Sequence, residues 1–184
     1  MQRLLLLAYG VNRPYEHFRD LASRLCLEGE ILPWLRDRCG SVLFVGTASY
    51  TWHYETLFAA DGYATLDIAD GAAVWGARRH IVAPVQELTR HHPAGFFDAV
   101  VLNGVLGFGI DTPQQMRCTF EELRRALPPQ GVLVVGWNTD RHEDPEALGL
   151  YDGFERSGER RFFADETHVY DVLVSSPPAP LTGR

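Results

Sequence analysis

Two positions about 20 residues apart are the first in this chain whose types and spacing suggest chemistry. The apolar run Val42-Leu43-Phe44-Val45 breaks at Gly46 and the small residues Thr47, Ala48 and Ser49, and a second run, Tyr63-Ala64-Thr65-Leu66, ends on Asp67. A strand, a tight small-residue turn and a second strand closed by a carboxylate are how nucleotide-binding βαβ units set an acid beside a ribose. The ligand implied is a nucleoside. Asn103 closes a later apolar run, Phe97 to Leu102, at the carboxyl edge where open α/β sheets bind ligands, and that position favours a functional role. Tyr50 and His53 follow the first turn, and either would line a cleft there. A histidine on such a segment is more often a surface or satisfied group than a catalytic one.

Other chemistries lack their patterns. Of the seven histidines, His91 and His92 are adjacent, and no HxxxH or HxH occurs, so metal dependence is not supported. Ser49 sits in VGTASYT rather than in a G-x-S-x-G elbow, which leaves a hydrolase without its motif. Asp67 would serve the ribose of a nicotinamide cofactor equally well, but G-x-G-x-x-G is absent.

The elements that must position these residues follow from hydrophobic periodicity. No Gly or Pro interrupts Tyr50 to Ala60, and Trp52, Leu57 and Phe58 give that stretch a partly apolar helical face, so a helix is expected to join the first two strands. Upstream, residues 1 to 10 are apolar and fit either a strand or a helix. From Pro14 to Asp37, Phe18, Leu21, Leu25, Ile31, Leu32 and Leu35 recur near helical spacing, with Gly29 and Pro33 dividing the segment into two pieces. Such an extension either covers the cleft as a lid or packs on the sheet, and packing has the stronger prior.

Downstream, Ile81-Val82-Ala83 reads as a short third strand, and Pro84 opens a helix that ends near His91-His92-Pro93. Asp98 stands at the mouth of the Phe97 to Leu102 strand, and Val105 to Ile110 is a glycine-rich loop. Asp111 or Thr112 caps the next helix, with Pro113 just inside it and an apolar side formed by Met116, Phe120, Leu123 and Leu127. Gly131 opens the strand Val132 to Val135, which ends at Gly136-Trp137-Asn138. A short helix is expected from Pro145 to Leu150, then two strand-like runs, Arg161 to Phe163 and Val169 to Val174, as a hairpin at the sheet edge. The Pro-rich end, Pro177 to Arg184, reads as a frayed tail. The expected fold is α/β, a three-layer doubly wound, mostly parallel sheet with a C-terminal antiparallel hairpin. Its expected organisation is an N-terminal helical extension over 1–40, a Rossmann-like domain over 41–176 and a flexible tail over 177–184.

Composition narrows the partners. At 184 residues and 46% hydrophobic content the chain fits one domain with a full-sized core. A net charge of -7 with scattered arginines argues against a polyanion-binding groove. Cys26, Cys39 and Cys118 show no CxxC spacing, so free buried thiols in a reducing cytoplasm are expected. The Leu4 to Ala8 run is too short for a signal-peptide core, and nothing is long enough to span a bilayer.

Taken in order and spacing, VLFVG, ATLDIAD, FFDAVVLNGVLGFG and LRRALPPQGVLVVGWN resemble the class I S-adenosylmethionine-dependent methyltransferases over about Ser41 to Ser175. The last stretch is the most telling, a helix running into a Pro-Gln-Gly turn and then a buried strand. The resemblance implies S-adenosyl-L-methionine as cofactor and methyl transfer to a small-molecule acceptor in the cytoplasm, with no nucleic-acid or membrane partner and a homodimer as one open assembly. It implies that Gly46, with Thr47, Ala48 and Tyr50 along the same loop, borders the methionine moiety. Asp67 would then hold the ribose hydroxyls, Ile68 would pack on adenine, and Pro84, Val85 and Gln86 would meet the adenine edge. Asn103 and Gly104 would border the methionine and acceptor portions. Asn103 and His53 are the catalytic candidates, and Trp137, Asn138 and His142 fall where an acceptor pocket is built.

The chain departs from the family pattern at Phe44, where an acid is usual, at Ala48 and Tyr50, where glycines are usual, and at Pro84, where an acid often follows the third strand. Two alternatives therefore stand beside the first reading. One is a non-catalytic partner or regulatory domain that keeps the fold, and the other is an enzyme that uses the same sulfonium for a different alkyl displacement.

Overall fold

The apolar runs become strands of a single sheet in the computed structural model, which describes residues 21–176. Residues 1 to 10, Phe18 and the Pro177 to Arg184 tail lie outside the described residues. In chain order the strands are β1 (Val42–Val45), β2 (Tyr63–Asp67), β3 (His80–Val82), β4 (Ala99–Asn103), β5 (Val132–Asn138), β6 (Phe154–Arg156), β7 (Arg161–Phe163) and β8 (His168–Ser175). Their order across the sheet is β3-β2-β1-β4-β5-β8-β6, with β7 also paired to β8. The first five are parallel, and β8 runs antiparallel to β5.

Strand order reverses at β1, whose Val45 pairs with Leu66 on one side and Leu102 on the other. Beyond the carboxyl ends of the strands at such a switch point a crevice opens, because the connections leave in opposite directions. Gly46 therefore opens onto that crevice at the end of β1, with Asn103 closing the adjacent strand β4.

Alternate strand residues feed two cores, as the two-residue repeat of a strand requires. Leu43, Val45, Leu66, Val100, Leu102, Leu133 and Val135 pack beneath α3 (Leu88–His91) and α4 (Pro113–Ala126). Val42, Phe44, Tyr63, Val101, Val134 and Tyr170 pack beneath α1 (Ala22–Cys26) and α2 (Leu32–Arg36). The expected three-layer, mostly parallel architecture with antiparallel C-terminal strands is what forms.

Several local expectations are corrected. Gly29 and Pro33 do not divide the N-terminal helical segment, because a π turn, Leu27–Ile31, joins α1 to α2. The Leu32 N–H reaches the Leu27 carbonyl five residues back, and this widened turn absorbs the proline just beyond it. The turn also shifts the helical phase, so Leu25 is exposed while Leu27, Ile31, Leu32 and Leu35 are buried.

No α-helix joins β1 to β2. That connection is turns and one short 3-10 helix, Tyr54–Leu57. Thr51 Oγ1 accepts from the Ala48 N–H at 3.1 Å and donates to the Ala48 carbonyl at 3.0 Å, tying the backbone into a turn. Tyr54, fully buried edge-on against Phe44, holds it there. Pro145 to Leu150 is likewise a set of turns, opened by the Asp144 carboxylate accepting from the Glu146 N–H at 2.9 Å. A third antiparallel strand, β6, adds to the expected hairpin. Among the cysteines all are free, but only Cys26 is buried; Cys39 is half-buried and Cys118 exposed.

Candidate functional site

A cleft of about 250 Å³ opens at the carboxyl edge of the parallel strands. Gly46, Thr47, Ala48 and Tyr50 form one wall, Asp67 and Ile68 a second, and Pro84, Val85, Gln86 and Gly104 close the far side with Val105, Phe108 and Ile110. The cofactor-binding candidates thus meet in one place, apart from Asn103, whose side chain lies behind the wall.

Backbone conformation explains why glycine stands at position 46. Its φ is +89°, and a Cβ there would lie 2.9 Å from both the Asn103 carbonyl oxygen and Val105 Cγ1. No side chain fits between β1 and β4 at that point.

Asp67 is held before any ligand arrives. One carboxylate oxygen accepts from the Thr47 N–H at 2.7 Å and the other from the Ala69 N–H at 2.9 Å. Thr47 Oγ1 also lies 3.4 Å from Asp67, but its single proton has a nearer acceptor in the Ala72 carbonyl at 3.2 Å. A carboxylate has about four lone-pair directions, so roughly two remain for hydroxyl donors in the cleft. Ile68 beside it is 68% exposed and Phe108 opposite is 53% exposed, which leaves apolar faces on both sides of the space. Gln86 turns its amide away, with Nε2 donating to Thr119 Oγ1 at 2.8 Å.

His53 is not in the cleft wall. Its Nε2 lies 3.6 Å from Glu28 Oε2, and its ring packs on Tyr54 at 4.8 Å between centroids. Glu28 sits in the π turn and also accepts from the Tyr54 hydroxyl at 2.9 Å. The Arg24 guanidinium bonds the same hydroxyl and lies 4.2 Å over the Tyr50 ring, linking α1 to the cleft wall.

Asn103 presents its carbonyl to Gly46 and its side chain to the opposite face of the sheet, over Gly136 and beside Tyr170. Its Oδ1 is buried without a hydrogen-bond partner. Trp137 is buried and donates to Asp171 at 3.1 Å, Asn138 bonds across to β8, and His142 Nε2 lies 2.8 Å from Met116 Sδ. Asp111 accepts from the Gly109 N–H at 3.3 Å, while Thr112 is the residue that caps α4, in a capping box with Gln115.

Sequence patterns did not reveal His168 or Asp171. His168 sits where β8 meets Asn138, and its imidazole is lowered from 6.5 to about 4, chiefly by burial and then by the nearby Arg24 charge. Asp171 is fully buried and accepts from Trp137, Tyr151, Arg156 and Arg160. Burial alone would raise its carboxyl, and those donors outweigh it, so the group lies below the usual carboxylate range. The only signal was a polar side chain inside the strand-like run Val169 to Val174 for Asp171 and immediately before it for His168. Among the described residues no group of three or more His, Cys, Asp or Glu is placed to hold a metal, and no helix is long and apolar enough to cross a membrane.

No protein-family model matches the sequence, and no curated protein matches it. Solved structures do. The N-methyltransferase NodS from Bradyrhizobium japonicum is 18% identical, covers 90% of this chain and 98% of its own, and superposes with a TM-score of 0.61. A second structure of it, in complex with S-adenosylhomocysteine, gives 16% identity, 89% and 88% coverage and a TM-score of 0.60. The 1,6-didemethyltoxoflavin-N1-methyltransferase from Burkholderia thailandensis, solved with 1,6-didemethyltoxoflavin and S-adenosylhomocysteine, is 16% identical over 96% of this chain and 90% of its own, at a TM-score of 0.59. At such identities the likeness concerns the fold, and the chain has the mostly parallel sheet with antiparallel C-terminal strands of the class I S-adenosylmethionine-dependent methyltransferases.

Proposed function

We propose that this protein is an S-adenosylmethionine-dependent methyltransferase acting on a small-molecule acceptor. The observation that carries this reading is the convergence of Gly46, Asp67, Ile68, Val85 and Gly104 on one cleft at the switch point of the sheet. The residues present fit an adenosyl group. Asp67 keeps free lone pairs for two hydroxyls, Ile68 offers an exposed apolar face for a base, and the glycine backbone at position 46 leaves room for the amino-acid tail.

When bound, the cofactor supplies a methyl group on sulfur that is lost to a nucleophile, leaving a neutral thioether. Positive charge disperses in such a displacement, so the protein acts mainly by holding the two reactants in line. Thr47 and Ala69 N–H groups orient Asp67, the wall from Gly46 to Tyr50 sets the position of the tail, and the helices before Ser41 with the segment after Asn138 shape the acceptor space. Neighbours bound to S-adenosylhomocysteine support the cofactor, and a net charge of -7 supports a small acceptor over a nucleic acid.

Calorimetric titration with S-adenosylhomocysteine tests the proposal: saturable binding is expected, and the absence of both heat and a thermal shift would overturn it. Asp67→Ala should weaken that binding by about 1–3 kcal/mol, because charge-assisted hydrogen bonds are lost. Unchanged affinity would refute the ribose assignment. The non-catalytic reading is favoured by one observation, that Asp67 is the sole acid among the described residues lining the cleft. Cofactor binding without turnover on any acceptor would support it.

A further inference from the structure

Tyr50 lines the cleft from a run of turns over residues 49–53, outside any helix or strand. A large side chain on such a backbone samples several rotamers, and a ligand that packs against one of them must order it on binding. Here the ring is already ordered by a side chain from another part of the chain. The Arg24 guanidinium carbon lies 4.2 Å from the centroid of the Tyr50 ring, within the range of a cation-π contact. Arg24 is not among the residues that line the cleft, so it backs the ring from outside the ligand space.

Arg24 is itself fixed. It is 9% exposed on α1, and its Nη1 donates to the Tyr54 hydroxyl. That hydroxyl donates to Glu28 Oε1 at 2.9 Å, and the same oxygen is 3.9 Å from Arg24 Nε. A guanidinium is tolerated at this depth when a carboxylate and a hydroxyl hold it. Leu21, at the N-cap of α1, has no capping side chain. Glu166 supplies the cap from the turn before β8, accepting from the Ala22 N–H at 2.6 Å and the Ser23 N–H at 3.1 Å. Helix, charge and ring therefore form one continuous chain of contacts that ends in the cleft wall.

We propose that Arg24 is a positioning residue: it holds the Tyr50 ring as a flat, preformed wall against which the amino-acid tail of the cofactor packs. This rests on the methyltransferase reading, in which the tail lies along the wall from Gly46 to Tyr50. The competing role for the contact is to dock α1 on the sheet, and the two roles separate by ligand. A wall at the tail acts on a ligand that carries the tail and is indifferent to one that ends near the sulfur. Docking of α1 acts on the stability of the fold and on both ligands alike.

The test measures calorimetric affinities of the whole protein for S-adenosylhomocysteine and for 5′-methylthioadenosine, which keeps the nucleoside and lacks the amino-acid tail. Arg24→Met and Tyr50→Leu should each weaken S-adenosylhomocysteine binding about five-fold, the size of a desolvated cation-π contact. Both should leave 5′-methylthioadenosine within about two-fold of wild type. Tyr50→Phe keeps the ring and should match wild type for both ligands. The double variant should lose no more than Tyr50→Leu alone, because the arginine acts through the ring. Equal losses for the two ligands, unchanged S-adenosylhomocysteine affinity in either single variant, or additive losses in the double variant would overturn the assignment. Should Arg24→Met fail to fold, Arg24→Gln, whose amide still meets the Tyr54 hydroxyl, replaces it with the same expected ratio. Tyr50→Leu decides the matter if neither arginine variant folds. Equal wild-type affinity for the two ligands would also overturn the assignment, since the tail would then gain nothing from the wall. Failure of wild type to bind either ligand would instead strike the functional reading.

Discussion

Strand β8 carries two buried polar residues three positions apart, and they present opposite cases. Asp171 faces the core beneath α4 and receives hydrogen bonds from Trp137, Tyr151, Arg156 and Arg160. His168 faces the core beneath α1, with one nitrogen bonded to Asn138 and the other bonded to nothing. A buried charge that is completely satisfied is a structural fastener. Arg160 also binds Asp144, and Arg156 binds Glu146, so Asp171 pins the segment after β5 to the sheet. A buried acceptor left open fastens nothing and costs the fold its desolvation. What separates the two is whether the remaining lone pairs are used, and residue type and burial alone do not reveal it.

The largest test of this contrast is Asp171→Ala. Two arginines, a tyrosine hydroxyl and an indole N–H would lose their acceptor together, and urea denaturation should show a loss of about 3–5 kcal/mol. A loss below about 1 kcal/mol would break the contrast, since the hub would then not be a fastener.

Acid provides the second test. The His168 imidazole is lowered from 6.5 to about 4, so as pH falls the unfolded chain takes up the proton before the folded one. The folded state is therefore undiminished above pH 6.5, loses stability progressively from there, and stops losing it on this account below about pH 4. Between pH 7 and pH 5 the loss amounts to about 2 kcal/mol. Asp171 has the opposite origin, a carboxyl held low by its donors, whose contribution is present above 3.8 and disappears only at lower pH. Denaturation curves of His168→Phe against wild type should remove the upper limb and leave the lower one. An unchanged upper limb would show that other histidines carry it.

A smaller effect is expected from Gly136→Ala. The added methyl meets Asn103 Oδ1 and Tyr170 Cε1, so the Asn103 side chain must swing away at a cost of about 1 kcal/mol or more. Retention of wild-type stability would mean that the close approach of β4, β5 and β8 at Gly136 is not tight enough to fix the Asn103 side chain.

How much was legible in the sequence depended on whether a residue's role is local. Gly46 and Asp67 were readable because a strand-turn-strand unit sets their separation, and Asp67 is held by N–H groups of its own unit, Thr47 and Ala69. The α4 cap was readable because Thr112 and Gln115 satisfy each other three residues apart. The helix expected over Tyr50 to Ala60 failed where tertiary packing overrode periodicity, with Tyr54 drawn into the core against Phe44. Gly29 and Pro33 misled for the converse reason, since a π turn accommodates both without ending the helix. Asp171 read as strand interior and His168 as the residue before that run, and their partners come from other strands and loops 11 to 34 residues away.

The sequence by itself determined the succession of strands along the chain, the parallel character of the sheet and most of the residues that line the cleft, because apolar runs, turn residues and a fixed strand-to-strand spacing act over short distances. Only the tertiary structure decided which polar side chains are spent on one another and which stand without a partner, because hydrogen-bond satisfaction is a property of neighbours that the chain brings together from far apart.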